Sequence, residues 1–301
     1  MSQIKPQGGM DMKVKAYTIN SFAKTYEGGN AAGIVPNADY LSDAEMQKIA
    51  TILGLSETAF VMKSKSADFK VRFFTPNEEV DLCGHATVGT YYTLTTLGYI
   101  KPGSYLQETK AGILGVEIKD DLSIMMCQPL PSFFETIEKS EIAGSLNIEI
   151  ASIHEDLPVQ IVSTGLRDII VPINSMDILS SIKPDLEKIK EISRKHSAVG
   201  YHVFTLDLNN GSTARCRNFA PLFQIPEESA TGTSNGALGC YLYKYGKLDS
   251  NQASSILIEQ GYNMNKPSEI LVSLTVEREE ITGVKVGGKA LNFSSIEINI
   301  E

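Results

Sequence analysis

Arg72-Phe73-Phe74-Thr75-Pro76, followed by Cys83-Gly84-His85-Ala86-Thr87-Val88-Gly89, decides how the rest of the chain is read, because it recurs. Arg217-Asn218-Phe219-Ala220-Pro221, 145 residues further on, is followed by Thr231-Gly232-Thr233-Ser234-Asn235-Gly236-Ala237. Each copy reads as a strand (Arg-x-Phe), a Pro-bounded loop and a Gly-led turn into a helix. A repeat at half the chain length predicts two similar domains facing each other. It also predicts a cleft closed by two helix N-termini, each carrying about half a positive charge and free N–H groups. Such a cleft suits a substrate carboxylate, or the negative charge that grows when a proton leaves the carbon beside it. A single Gly-led turn is explained by local geometry alone; two at matched positions favour an anion site.

The 301 residues suit two domains, and 42% hydrophobic with 21% charged residues is the balance of an ordinary globular protein. No apolar run reaches the ~18 residues that span a bilayer, and the N-terminus carries no signal-peptide pattern. With 27 basic against 36 acidic residues the net charge is −9, and no dense Lys/Arg stripe offers a nucleic-acid surface. Neither a membrane nor a nucleic acid is therefore an expected partner. Cys83, Cys127, Cys216 and Cys240 are scattered without a C-x-x-C pair, which points to free thiols in a reducing cytoplasm. Residues 1–11 lack periodicity and are expected to be disordered.

The expected fold is α+β: two pseudo-symmetric domains, each a curved, mostly antiparallel sheet around a central helix. The first covers residues 13–127 and the second 128–288, divided near Gln128-Pro129-Leu130-Pro131, with a last strand over 289–301 crossing back to the first. Ser42-Asp43-Ala44-Glu45 is a capping box. The helix it opens places Met46, Ile49, Ala50 and Leu53 on one buried face and stops at Gly54. Leu55 to Val61 turns into a strand whose hairpin partner is Phe69–Phe74. The second half repeats the plan, with strands around Val159–Val162, Ile169–Val171, His202–Leu206 and Thr213–Phe219, and a helix after Pro184.

Glu57 precedes the apolar Ala59-Phe60-Val61, whereas the matching stretch Ser197-Ala198-Val199-Gly200-Tyr201 has no carboxylate. A feature of one copy alone is not needed by the scaffold. Partial burial is expected to raise its pKa toward neutrality and suit it to acid and base roles. His85, on the first turn of its helix, is placed to hydrogen-bond substrate or carry a proton. Cys83 stands at that helix start, where its counterpart is Thr231, so a two-thiol racemase is not expected: a Thr hydroxyl is too weak an acid or base. His154, His196 and His202 read as structural. No His/Cys/Asp spacing indicates a metal site, and no Gly pattern indicates a dinucleotide or phosphate loop.

From about residue 13 the chain resembles the PhzF-like phenazine biosynthesis protein family of the diaminopimelate epimerase-like fold. The resemblance rests on Gly29-Asn30, Leu55-Ser56-Glu57-Thr58-Ala59-Phe60-Val61, Arg72-Phe73-Phe74-Thr75-Pro76, Leu82-Cys83-Gly84-His85-Ala86-Thr87, Glu228-Ser229-Ala230-Thr231-Gly232-Thr233 and Gly287-Gly288, all in the family's order. It implies a cytoplasmic homodimer and a cofactor-independent isomerase. In the best understood member type, one Glu moves a proton between carbons of trans-2,3-dihydro-3-hydroxyanthranilate without cofactor or metal. By resemblance Glu57 takes that role, with His85 assisting and Glu228 as the acidic residue of the second motif. Gly84 and Gly232 supply carboxylate-binding N–H groups, and Asn30, Cys83, Thr231 and Thr233 complete the substrate contacts. The second motif departs from the family's Glu-Asp-Pro-x-Thr-Gly-Ser, having Glu228 for Asp, Ser229 for Pro and Thr233 for Ser. The expected partner is a small carboxylated substrate. A racemase or epimerase pairing Glu57 with Cys83 or His85, and a non-catalytic binding protein, stand as alternatives.

Overall fold

The structure, a computed structural model, describes residues 12–300; the disorder expected over 1–11 lies outside these. The chain divides into two compact units, one running to Met126 and resuming at Gly288, the other Cys127–Gly287.

The first unit runs β1 (Met12–Ser21), β2 (Asn30–Val35), α1 (Asp43–Leu53), β3 (Glu57–Met62), β4 (Phe69–Phe74), β5 (Glu79–Val80), α2 (Gly84–Thr96), β6 (Gly103–Thr109), β7 (Gly112–Ile118) and β8 (Ile124–Gln128). The second holds β9 (Ser132–Ile137), α3 (Lys139–Leu146), β10 (Val159–Ser163), β11 (Arg167–Ile173), α4 (Met176–Ser181), α5 (Leu186–Lys195), β12 (Gly200–Thr205), β13 (Ala214–Ala220), β14 (Ile225–Glu228), α6 (Gly232–Lys244), α7 (Ser250–Ala253), β15 (Ile256–Gln260), β16 (Ser268–Glu277) and β17 (Glu280–Gly288). The last strand, β18 (Ala290–Ile300), belongs to the first unit: it pairs antiparallel with β1 from Met12↔Ile300 to Ser21↔Ala290.

Both units build one plan. β2 lies parallel to β3 and β3 antiparallel to β4; β11 lies parallel to β12 and β12 antiparallel to β13. Antiparallel pairs predominate in each unit, and the fold is the α+β, diaminopimelate epimerase-like class that the repeat indicates. Successive strand residues face opposite ways, so each sheet has two apolar faces. One face of the first sheet, with Val14, Ala16, Val35, Phe60, Phe74 and Ile298, packs against Met46, Ile49 and Ala50 of α1. In the second unit Ile169, Val171, Tyr201, Val203 and Phe219 pack with Leu146 of α3, Leu179 of α4 and Ile189 of α5. The opposite faces hold α2 and α6, which are small or apolar nearly all round and buried along most of their length, as a central helix must be.

The repeated Arg has a structural cause. Arg72 forks onto Glu79 of β5 at 2.7 and 2.9 Å and lies over the Phe74 ring, 5.1 Å from its centroid. Arg217 forks onto Glu227 of β14 at 2.9 and 2.8 Å and lies 4.9 Å from the Phe219 ring centroid. In each unit this bidentate pair ties the short strand leading to the central helix to the strand before it.

Candidate active site

In the first unit, three segments bring their polar groups to the start of α2. The tight turn at Gly29 delivers Asn30 to the beginning of β2. Its φ is +80°, and a Cβ there would lie 2.5 Å from the Ser21 carbonyl oxygen, so only glycine fits. Gly54, in the left-handed region, ends α1 and releases Ser56 and Glu57 into the first residue of β3. Ser21 Oγ donates to the His85 carbonyl at 2.6 Å and ties the first turn of α2 to β1.

At this junction His85 Nε2 lies 3.1 Å from Glu57 Oε2, with the two side chains 6% and 21% exposed. The distance is that of an ion pair, but no described group meets hydrogen-bond geometry with the buried Oε2. His85 Nδ1 lies 3.3 Å from Cys83 Sγ and 3.4 Å from Asn30 Nδ2, and Ser56 Oγ lies 3.4 Å from Nε2.

Burial raises Glu57, but the close His85 ring and its charge, helped by Cys83 and Ser56, outweigh it and hold the carboxyl below its ordinary value. This corrects the expectation of a pKa raised toward neutrality: burial alone gives that sign, and the sequence does not show the imidazole that reverses it. For His85, burial lowers the pKa, yet the Cys83 sulfur and the Glu57 carboxylate lift it well above the ordinary imidazole value. Cys83 is pushed up, first by burial and further by the Glu57 charge, against the opposing pull of His85. Glu57 is thus held toward the carboxylate and His85 toward the imidazolium, while burial holds Cys83 toward the neutral thiol.

The ligand atoms of Glu57, Cys83 and His85 lie within 4.8 Å of one another, a donor set that sequence spacing does not reveal and that zinc-type cations accept. Both the thiol and the imidazolium must first lose a proton to ligate, which works against such binding.

In the second unit, Glu228 ends β14 opposite Asn218 of β13, and its carbonyl accepts from Gln260 Nε2 at 2.8 Å. Thr231 directs both its N–H and its Oγ1 to Gln260 Oε1, at 3.2 and 3.0 Å. Its hydroxyl thus donates to the scaffold and keeps its acceptor lone pairs. The Thr233 carbonyl accepts from Thr164 Oγ1 at 3.0 Å. Cys83 and Thr231 are the N-cap residues of α2 and α6, and neither side chain caps its helix. By contrast Ser42 caps α1 and Asp185 caps α5. The first N–H groups of the two Gly-led helices consequently have no N-cap side chain to accept them.

Asn30, Glu57, Cys83, Gly84 and His85 thus gather in the first unit, and Glu228, Thr231, Gly232 and Thr233 in the second. Sequence reasoning missed Ser21 and Ser56 around His85, and Gln260 behind Thr231. Gln260 lies far along the chain in β15 and is marked by no local motif.

A family model described as phenazine biosynthesis-like protein (PhzC-PhzF) matches residues 19–295. The chain belongs to the PhzF family. An uncharacterized isomerase of Clostridium acetobutylicum is 36% identical to it, over 94% of this chain and 97% of its own length. The crystal structure of a Bacillus anthracis phenazine biosynthesis protein of the PhzF family superposes with a TM-score of 0.87 at 32% identity, covering 96% of this chain and 100% of that one. The trans-2,3-dihydro-3-hydroxyanthranilate isomerase of Pseudomonas fluorescens is 29% identical, over 91% of this chain and 95% of its own. This PhzF-family protein is an isomerase, the activity class those two relatives share.

Proposed function

We propose that this isomerase moves a proton between two atoms of one small carboxylated molecule, with Glu57 as both base and acid. The observation that carries the reading is Glu57 Oε2: buried, anionic, and without an aligned hydrogen-bond partner among the described residues. An acceptor held this way has lost most of its water and has its proton-accepting position open to a substrate C–H. The His85 imidazolium keeps the carboxylate charged in the resting enzyme and helps stabilise negative charge on the substrate as the C–H bond breaks. Glu57 then returns a proton at the second position, and the Glu57 carboxyl can exchange its proton with solvent before doing so. The scheme balances without any redox step, since one proton is removed and one is delivered.

The N–H groups at the start of α2, around Gly84, are proposed to hold the substrate carboxylate beside Glu57. Asn30 and Cys83 add contacts there. The first compound to try is trans-2,3-dihydro-3-hydroxyanthranilate, for which the Pseudomonas fluorescens relative is named.

The test is incubation in deuterated water with that compound, then with a panel of cyclic and acyclic amino and hydroxy acids, following C–H exchange and double-bond position by NMR. Glu57→Gln keeps shape and polarity but cannot accept a proton, so the exchange rate is expected to fall about 10²–10⁴-fold with little change in binding. Exchange at the wild-type rate in Glu57→Gln would remove Glu57 from the mechanism. Label entering one stereocentre without movement of a double bond would establish an epimerase instead.

A further inference from the structure

We propose that Glu57, Cys83 and His85 form a binding site for one zinc-type divalent cation, which acts as an inhibitor of this enzyme and not as its cofactor. The inhibition rests on the reading of Glu57 as the base; the site itself does not.

The argument begins with spacing. In a tetrahedral site the zinc bonds run about 2.0–2.2 Å to nitrogen and oxygen and about 2.3 Å to sulfur, so ligand atoms stand roughly 3.3–3.6 Å from one another. His85 Nε2 lies 3.1 Å from Glu57 Oε2 and 3.8 Å from Cys83 Sγ. These two edges, which meet at Nε2, bracket the tetrahedral spacing. The three donor atoms lie within 4.8 Å of one another. The remaining edge closes by rotation of the Glu57 carboxyl, since no described group holds Oε2 by a hydrogen bond. Oε2 and Nε2 are close without being aligned as acceptor and donor, which is how two ligands of one ion stand to each other. Three protein ligands leave a fourth position to water, as in open zinc sites.

Charge is the second part of the argument. With Glu57 a carboxylate, His85 an imidazolium and Cys83 a thiol, the cluster is neutral. Coordination removes one proton from the Cys83 thiol and one from the His85 imidazolium, releases both to the buffer and adds a divalent ion. The cluster is then neutral again, so the ion is buried without leaving an unpaired charge. The two displaced protons lower the affinity at a given pH and leave the geometry intact.

The rest of the site favours the same ion. With Nε2 on the metal, a neutral imidazole keeps its proton on Nδ1. The Asn30 amide lies 3.4 Å from Nδ1 and, flipped, presents its oxygen as the acceptor that a metal-bound histidine needs. Thiolate and imidazole select zinc-type ions over calcium and magnesium, which take oxygen ligands. In the second unit the counterparts of Glu57, Cys83 and His85 are Gly200, Thr231 and Thr233, without a carboxylate, thiol or imidazole among them. One ion per chain is the expected stoichiometry. Coordination takes the Glu57 lone pair that accepts the substrate proton, so metal binding and turnover exclude each other.

The experiment uses the untagged full chain, stripped of metal with EDTA, desalted and kept reduced. It is titrated with zinc chloride by calorimetry and with cobalt(II) by absorption. One ion per chain is expected, with the near-ultraviolet band of a thiolate–cobalt bond and the visible bands of a four-coordinate ion. Cys83→Ser should weaken zinc at least about 100-fold and remove the near-ultraviolet band, and Asn30→Ala should weaken zinc about 10-fold. Cys127→Ser, which alters an exposed thiol, should bind zinc as wild type does. Where Cys83→Ser does not fold, Glu57→Gln serves: it should weaken zinc at least about 10-fold and keep the thiolate–cobalt band. Absence of saturable binding, a cobalt spectrum without that band, or binding unmoved by Cys83→Ser or Glu57→Gln would each overturn the site. Zinc should also stop hydrogen exchange into substrate in deuterated water, and EDTA should restore it. Zinc held at the site with exchange undiminished would overturn the inhibition, and with it the role of Glu57 as base. Failure of the site is read from binding alone, so the two failures are distinct.

Discussion

Glu57 and His85 share their proton in the direction opposite to the one burial dictates, because a cation at 3.1 Å outweighs desolvation of the carboxylate. Two consequences follow for pH. Glu57, held low, remains a base below the ordinary Glu value. His85, held high, contributes stability that is complete below about pH 6.5, the ordinary imidazole value, and is lost as pH rises through its elevated folded pKa. The acid limb of the pH–rate profile is therefore expected below pH ~4.5; a limb centred near neutrality would place the resting proton on Glu57. Cys83 is a neutral thiol without a thiol counterpart at Thr231, so Cys83→Ala should keep most turnover, while alkylation slows it by filling the space beside His85. Turnover abolished by Cys83→Ala, with the fold intact by circular dichroism, would favour epimerase chemistry. Asp168 gives a stability prediction of its own. Its folded pKa is raised by burial, so its contribution is complete below the unfolded value of about 3.8 and is lost as pH rises through about 7. Asp168→Asn should match wild type near pH 4 and exceed it in melting temperature at pH 8, by on the order of a few kcal/mol in stability.

At the scale of elements, the two copies differ where backbone geometry forces them to. Gly200 occupies the place of Glu57, at the head of the strand parallel to its neighbour. A Cβ there would overlap the Phe219 carbonyl oxygen and lie 2.9 Å from Ala220 Cα. Both obstacles are backbone, so no side chain can be accommodated by a rotamer change, and a carboxylate at this position is confined to the first unit. Gly200→Ala should cost at least roughly 2 kcal/mol, measured by denaturant unfolding. An unchanged midpoint would mean that β12 and β13 separate easily. The opposite expectation holds for α1, whose capping box joins Ser42 and Glu45 and whose buried face lies on the sheet surface away from α2. Ser42→Ala should lower stability by about 0.5–2 kcal/mol and leave turnover unchanged.

Across the whole molecule, the first unit is closed by the end of the chain. β18 supplies β1 with a complete antiparallel partner and adds Ile298 and Ile300 to the core that includes Val14 and Ala16. Ending the chain after Gly288 would leave that edge unpaired and that core open to water. Hydrogen exchange is expected to rise through β1 and β2 in the truncated chain, while β11, β12 and β13 of the second unit keep their protection. Equal loss of protection in both units would show that they unfold together. Among the described residues, no helix is long and apolar enough to cross a membrane.

The class of fold was legible because two devices recur in linear order: an Arg-x-Phe strand before a Pro-bounded loop, and a Gly-led helix start. Local chemistry also announces α1, since Ser42, Glu45 and Gly54 satisfy groups within a few residues of themselves. Glu57 stood out because its repeat counterpart has no carboxylate. The protonation states were not legible, and neither was the network behind α6. They depend on a Coulomb term between residues 28 positions apart, Glu57 and His85, and on Gln260 reaching Thr231 from β15. Asp168 left a faint mark, an acid at the head of the apolar run Ile169-Ile170-Val171, much as Glu57 stands before Ala59-Phe60-Val61. Periodicity and capping are short-range and are written in the sequence. Burial, and the sign of a pKa within it, are set by what the folded chain places alongside, and only the tertiary structure decides that.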